Sequence, residues 1–362
     1  MSNMKIDQAV REYEEWLGKQ LPIVPDDLKL KHERMAEDLF AFLRATFFRW
    51  MQLWPEVCPE AHGAPVVLAV GDLHVENFGT WRDVEGRLVW GINDLDEAYP
   101  LPYTVDLVRL MASAHLAVEL GHLKVGPEGA CAAILNGYGE SLETGGRPMV
   151  LAEEHKFLRE AAMGELRDPV RFWQKIDALP APRQPIPPDA RRALEDMMPE
   201  TNLAYRVAHR VAGLGSLGRE RYVAIAQWRG GQIAREAKAL ASSACRWAGS
   251  AHGSGEIFYQ KLLDTAVRCL DPFVRLEGRW VVRRLAPDCS RIELADVPSE
   301  RDESRLLKAM GFETANLHLA SGDAIKSVRS DFKKRTPNWF RSNAKAMLKA
   351  TQDDWENWKV TG

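Results

Sequence analysis

The sequence predicts an α+β protein in two lobes, the larger of them mostly helical. Three observations lead there. Helical apolar stripes dominate both ends of the chain, short strands open into polar loops in the first third, and a cluster of strands with glycine turns follows a proline-rich break. The chain has 362 residues, 46% of them apolar and 27% charged, which is enough to bury a sizeable core.

The N-terminal segment, 1–60, reads as helices packing on the larger lobe. Its opening, MSNMKIDQAVREYEEWLG, is polar and helical and lacks the apolar run of a secretory leader. Residues 33–54 put Met35, Leu39, Phe42, Leu43, Phe47, Trp50, Met51 and Trp54 on one helical stripe, with Arg44 beside it, either snorkelling to solvent or facing a site. The segment 61–178 begins with a strand at 66–70 that runs into GDLHVENFG (Gly71–Gly79). A second strand, RLVWGIN, ends in NDLDEA, and a helix follows from Asp106 to about Leu120. The stretch ALPAPRQPIPP at 178–188 can be neither helix nor central strand, so 179–200 reads as a connection. From 201 to 290 a strand enters GLGSLG, a second strand at 222–228 returns, and a Gly-Gly turn leads to a third. A helix over about 255–270 and the hairpin FVRLEGRWVVRRL complete this part, and 291–362 reads as helices returning to the larger lobe.

Composition narrows the function classes. A net charge of −3 supplies no basic field, so nucleic acid is not an expected partner. Five cysteines without paired spacing read as reduced thiols, not as a disulfide frame or zinc site. No stretch approaches a membrane span, so a soluble, cytoplasmic protein without a membrane partner is expected. The twelve tryptophans read as helix-packing residues.

Two acidic clusters carry the chemistry. Asp72 and Asn77 form D-x-x-x-x-N, and Asp94, with Asp96 behind it, follows after a short hairpin. In phosphoryl transfer one carboxylate orients or deprotonates the attacking hydroxyl, while an Asn and a second Asp hold magnesium on the nucleotide phosphates. Protein kinases and small-molecule kinases space these groups in this way, and GDLHxxN is close to the loop of aminoglycoside and choline kinases. Asx-turns and helix caps account for the same residues without chemistry. The turn Gly213-Leu214-Gly215-Ser216-Leu217-Gly218 lies between strands, which suits a hairpin covering phosphates better than a dinucleotide turn. Arg235 and Lys238 lie on or near the third strand, where a kinase carries its phosphate-pairing lysine. The glycine turn follows the catalytic segment instead of preceding it, so the expected architecture is a protein-kinase-like two-lobe fold in circularly permuted order.

The chain also resembles a bacterial family, domain of unknown function 2252. The resemblance rests on RMAEDLFAFLRA, GDLHVENFG, INDLDEA, DLVRLMAS, GLGSLG, REAKAL, VVRRL and GFETANLHLASGD, in that order. It implies a family whose kinase kinship is itself read from these motifs. Two departures stand out: Arg235-Glu236-Ala237 where the family reads K-E-A, and Phe42-Leu43-Arg44-Ala45 where it reads F-L-R-G. Arginine does not replace the compact lysine ammonium conservatively at a phosphate site, so either Lys238 takes over, or nucleotide binding is altered, or catalysis is weak.

The expected function is a phosphotransferase using ATP and magnesium on a small-molecule hydroxyl acceptor. Asp72, His74 and Asn77 are the catalytic candidates, with Asp72 serving the hydroxyl and His74 orienting it or a phosphate. Asn77, Asp94 and Asp96 are the metal candidates. Gly213, Gly215, Ser216, Gly218, Arg235 and Lys238 are the nucleotide candidates, and Arg235 is preferred over Lys238 because it shares a strand face with Ile233 and aligns with K-E-A. Two other readings stand beside it. Asp72-Leu73-His74 is the D-x-H of binuclear phosphoesterases, but the later G-N-H-D/E and G-H-x-H are missing. A non-catalytic nucleotide sensor or scaffold would account for Arg235, though not for Asp72, Asn77 and Asp94 together. His318 reads as a structural brace of the late helix.

Overall fold

The computed structural model describes residues 4–151, 155–162, 168–249, 255–289 and 300–361. At the N-terminus α1 (Ile6–Gly18) buries Ile6, Ala9, Val10, Tyr13 and Leu17, a spacing of three and four that makes one apolar face. The stripe expected as one helix over 33–54 is instead three: α2 (Pro25–Glu37), α3 (Leu39–Ala45) and α4 (Phe47–Val57). Two residues that compete with helical backbone make the breaks. Asp38 is extended and accepts a hydrogen bond from the Ala41 amide at 2.7 Å, capping α3. Thr46 leaves the helical region at φ −120° and ψ 35°, and its hydroxyl donates to the Phe42 carbonyl.

After the short α5 (Pro59–His62), two small antiparallel sheets interleave along the chain. Strand β1 (Val66–Ala69) pairs with β4 (Tyr99–Pro102), while β2 (Phe78–Arg82) pairs with β3 (Leu88–Ile92). The chain therefore crosses from the first sheet to the second over 70–77 and back over 93–98. Two crossings between the same pair of sheets must run side by side, and the Asn93 amide donates to the Asn77 carbonyl at 3.0 Å across them. Both acidic clusters lie on these crossings. A third strand, β5 (Met149–Val150), adds to β3.

The helical body is built on α6 (Thr104–Glu119) and α7 (Pro127–Thr144), and the short α8 (Lys156–Ala162) and α9 (Pro169–Asp177) follow. The prolines from 180 to 187 form coil as expected, up to α10 (Pro188–Glu195). Strands β6 (Tyr205–His209), β7 (Arg221–Trp228) and β8 (Gly231–Ala239) then form successive antiparallel pairs. After α11 (Ala244–Trp247) and α12 (Tyr259–Thr265), β9 (Val274–Glu277) and β10 (Trp280–Leu285) complete a five-stranded sheet of order β6-β7-β8-β10-β9. The helix expected over 255–270 is thus confined to 259–265, because Ala266 turns extended and the Val267 amide bonds to the Asn316 carbonyl. Finally α13 (Glu300–His318), α14 (Ala324–Lys334) and α15 (Pro337–Thr361) return to the body, α13 against α7 and α15 against α6 and α4. Residues 291–299, which opened the expected C-terminal segment, lie outside the described residues. No helix among the described residues is long and apolar enough to cross a membrane.

Candidate active site

The loop after β1 is held from below. The amides of Val70 and Gly71 donate to the Asp106 carboxylate at 2.7 and 2.9 Å. Asp106 in turn meets His318 Nε2 at 2.9 Å, and His318 Nδ1 meets the Tyr138 hydroxyl at 2.8 Å. Asp106 and His318 are fully buried, so His318 is a brace, acting on the loop through Asp106. Gly71 has φ +87°, and a Cβ there would stand 2.4 Å from the Glu97 carbonyl oxygen, so only glycine lets the two crossings approach.

Asp72 points from this loop toward the glycine turn. Its Oδ1 accepts from Arg109 Nε at 2.8 Å and also from Nη2. Arg109 is fully buried, with its guanidinium over the rings of Phe47 and Trp50 and Nη2 also on the Leu43 carbonyl. Burial lifts the Asp72 carboxyl above the ordinary carboxylate range, and the Arg109 charge offsets that only in part. The other oxygen, Oδ2, faces Gly215, where an added Cβ would lie 3.5 Å from it and 3.1 Å from the Arg44 carbonyl. Glycine at 215 lets the turn close directly over the carboxylate.

His74 and Asn77 shape the loop. The Asn77 Oδ1 accepts from the His74 amide at 2.6 Å, and His74 Nδ1 accepts from the Glu76 amide at 3.2 Å. Both side chains are nearly buried, and the His74 ring lies edge-on to Phe40. Arg44 faces the site, pairing with Glu76 at 2.6 Å.

On the second crossing Asp94 and Asp96 share one cation. Lys238 Nζ lies 3.4 Å from Asp94 Oδ1 and 2.5 Å from Asp96 Oδ1. Burial, followed by the Asp94 charge, pushes Asp96 above the ordinary range. Glu97 faces Arg219 at 3.2 Å and accepts from Ser243 Oγ and the Ala244 amide at 2.8 and 2.7 Å. Among the described residues no group of three or more His, Cys, Asp and Glu side chains is arranged to hold a metal. The two carboxylates nevertheless stand close enough to meet the same Lys238 ammonium, and both offer the hard oxygen ligands that magnesium takes. Magnesium takes one or two protein carboxylates and completes its shell with phosphate and water oxygens, so Asp94 and Asp96 fit it.

The glycine turn is strapped to α2. The Val24 amide donates to the Gly218 carbonyl at 2.8 Å, and Lys31 Nζ lies 3.5 Å from the Gly215 carbonyl. Burial pushes the Lys31 ammonium down to about 8. Ser216 Oγ accepts from Arg221 at 2.7 Å.

Arg235, the preferred phosphate ligand, does not face the cleft. Strand alternation puts Glu236 and Lys238 on the inner face and Arg235 on the outer one, where it donates to the Met197 carbonyl and stacks on Phe273. The cation on the cleft side is Lys238. Asp72, His74, Asn77, Asp94, Asp96, Gly213, Gly215 and Ser216 all line one small cavity of about 40 Å³. A larger one, about 490 Å³, shares Asp94 and Gly213 with it and extends under the five-stranded sheet past Lys238. Gly218 closes the turn against Leu28 instead.

Sequence reading missed Asp106, Arg109, Glu97, Arg219 and the carboxylate Glu236. Arg109 had a signal: it interrupts a helix whose neighbours Leu107, Val108, Leu110 and Met111 are apolar on every side, which marks a buried cation. Glu97 and Arg219 had none, since their pairing joins segments far apart in the chain.

Residues 23–171 match the model of a family described as an uncharacterized protein conserved in bacteria, domain of unknown function 2252. That stretch holds both acidic crossings and stops before the glycine turn. No curated protein and no solved structure matches the chain.

Proposed function

We propose that this protein is a phosphotransferase that uses magnesium and ATP to phosphorylate the hydroxyl group of a small molecule, on a protein-kinase-like fold in permuted order. The observation that carries the reading is the meeting of Asp72, Asn77, Asp94 and the Gly213–Ser216 part of the glycine turn around one cavity, from segments widely separated in sequence. Asx-turns and helix caps alone give no reason for that convergence. The turn joins the first and second strands of an antiparallel sheet, and Lys238 stands on the third, facing the cleft. This is the relative placement of the phosphate-covering loop and the phosphate-pairing lysine in kinases.

In this reading Asp72 Oδ2 receives the acceptor hydroxyl, with Arg109 fixing the carboxylate from behind. Its raised proton affinity suits a general base, which works best when its pKa lies nearer the operating pH. Asp94 and Asp96 would hold magnesium, which would supply charge neutralisation to the phosphate oxygens. Asn77 keeps the loop in shape and lines the same cavity. Lys238 would exchange part of its contact with the two carboxylates for phosphate. The sensor reading leaned on arginine replacing a phosphate-pairing lysine, and Arg235 lies on the outer face of the sheet, so that support falls away.

Calorimetry of ATP binding with and without magnesium tests the assignment. Asp94→Ala should lose the metal-dependent part of the affinity, whereas Asp72→Ala should keep it and lose only transfer. Equal loss of binding in both variants would show the division of roles to be wrong.

A further inference from the structure

The larger cavity has an unusual lining. Seven lysine and arginine residues border it against two acids, Asp94 and Asp271. Glu236 offsets part of that charge: fully buried, it accepts from Arg221 at 3.0 Å and Arg283 at 2.7 Å and also pairs with Arg210. Those guanidiniums hold its carboxyl well below the usual range. Asp96 takes a share of Lys238. With both included, cations still outnumber acids, in a chain whose net charge is −3.

The apolar surface that a nucleobase would use is already covered. On the inner face of the five-stranded sheet Val223, Ile225, Ala234 and Leu285 are buried under Ile176 and Phe172 of α9. Of the other aromatic rings in the lining, Trp81 is 3% and Tyr259 4% exposed. Arg268 lies over the Trp81 ring at 4.6 Å. Among the described residues a base entering this space meets guanidinium groups, two nearly buried rings and the half-buried Phe172, so the lining favours phosphate over base.

We propose that the cavity holds the phosphoryl donor by its polyphosphate chain and does not discriminate between bases, so that an inorganic polyphosphate binds there as well. The role of the bound polyphosphate as donor rests on the phosphotransferase reading, whereas its binding does not. Charge and geometry favour a linear chain of phosphates running from the Arg210–Arg283 end toward Asp94, Lys238 and the glycine turn. Electrostatic binding of this kind weakens as salt rises.

The test is titration of the full-length protein, in magnesium, with ATP, GTP, inorganic tripolyphosphate and adenosine. ATP and GTP should bind within about three-fold of each other, tripolyphosphate within about ten-fold of ATP, and adenosine not at all at millimolar concentration. Lys175→Ala removes an exposed lining cation without touching the core and should weaken the three polyphosphates alike. ATP binding more than about ten-fold tighter than GTP, with no competition from tripolyphosphate, would overturn base indifference and leave the phosphotransferase reading standing. Failure of every polyphosphate to bind would overturn both. Binding of all three without transfer to any hydroxyl would support the polyphosphate site and sink the phosphotransferase reading.

Discussion

At the scale of single residues, the two candidate cations separate cleanly. Arg235 and Lys238 lie on the same strand, yet one side chain packs on Phe273 and the Met197 carbonyl while the other reaches Asp94 and Asp96. Lys238→Met, which keeps the apolar stem, should cost about 1.5–3 kcal/mol of polyphosphate affinity, as for a charge-assisted contact. Arg235→Ala should leave affinity within about two-fold and lower folding stability instead, because it removes a packed stem and a hydrogen bond to backbone. Calorimetry and urea denaturation on both variants read the two effects separately. A silent Lys238→Met with a binding-defective Arg235→Ala would mean that the inner and outer faces of the sheet are misassigned.

At the scale of elements, what matters is where the N-terminal helices break. Asp38 ends α2 and caps α3, and that bend carries α3 toward the glycine turn, which sits over the Arg44 carbonyl. Asp38→Ala should cost about 1 kcal/mol, the usual loss for an N-cap, seen as a lower denaturation midpoint with an unchanged slope. An unchanged midpoint would show that packing of Phe40, Phe42 and Leu43 sets the bend without the cap. The two interleaved sheets form the other decisive element. Their strands are short, and what they contribute is the side-by-side placement of loops 70–77 and 93–98.

For the whole molecule, the return of the C-terminal helices ties the lobes to the site. Glu313 on α13 lies against the Ile92 amide at 3.4 Å and accepts from Asn316 at 2.9 Å, just before the strand delivers Asp94. Burial pushes its carboxyl up to about 7 from an ordinary 4.5, with Arg268 pulling the other way. The folded state then keeps a proton that the unfolded chain has already released. Stability should therefore fall as pH rises from about 4.5 to 7, by roughly 3 kcal/mol from this group, and level off above. Glu313→Gln should flatten that slope, matching the parent protein near pH 4 and exceeding it near pH 8 in thermal unfolding. An equally steep slope in the variant would place the titration elsewhere.

The sequence by itself determined the elements and the residue types of the candidate site. Periodicity and turn chemistry are local, so the strand before Gly71, the hairpins around 213 and 230 and the late helices were all legible, as were the two acidic clusters. Helix continuity across Asp38 and Thr46 was not, because the apolar stripe runs on through both breaks. Which face of β8 meets the cleft depended on which side of the sheet the rest of the protein covers, and no property of Arg235 or Lys238 alone records that. The pairing of Glu97 with Arg219, the Arg109 behind Asp72 and the burial of Glu236 among three guanidiniums are likewise products of long-range packing. Local sequence specifies backbone preferences within a few residues; burial and charge pairing arise only when distant segments are brought together and water is excluded between them.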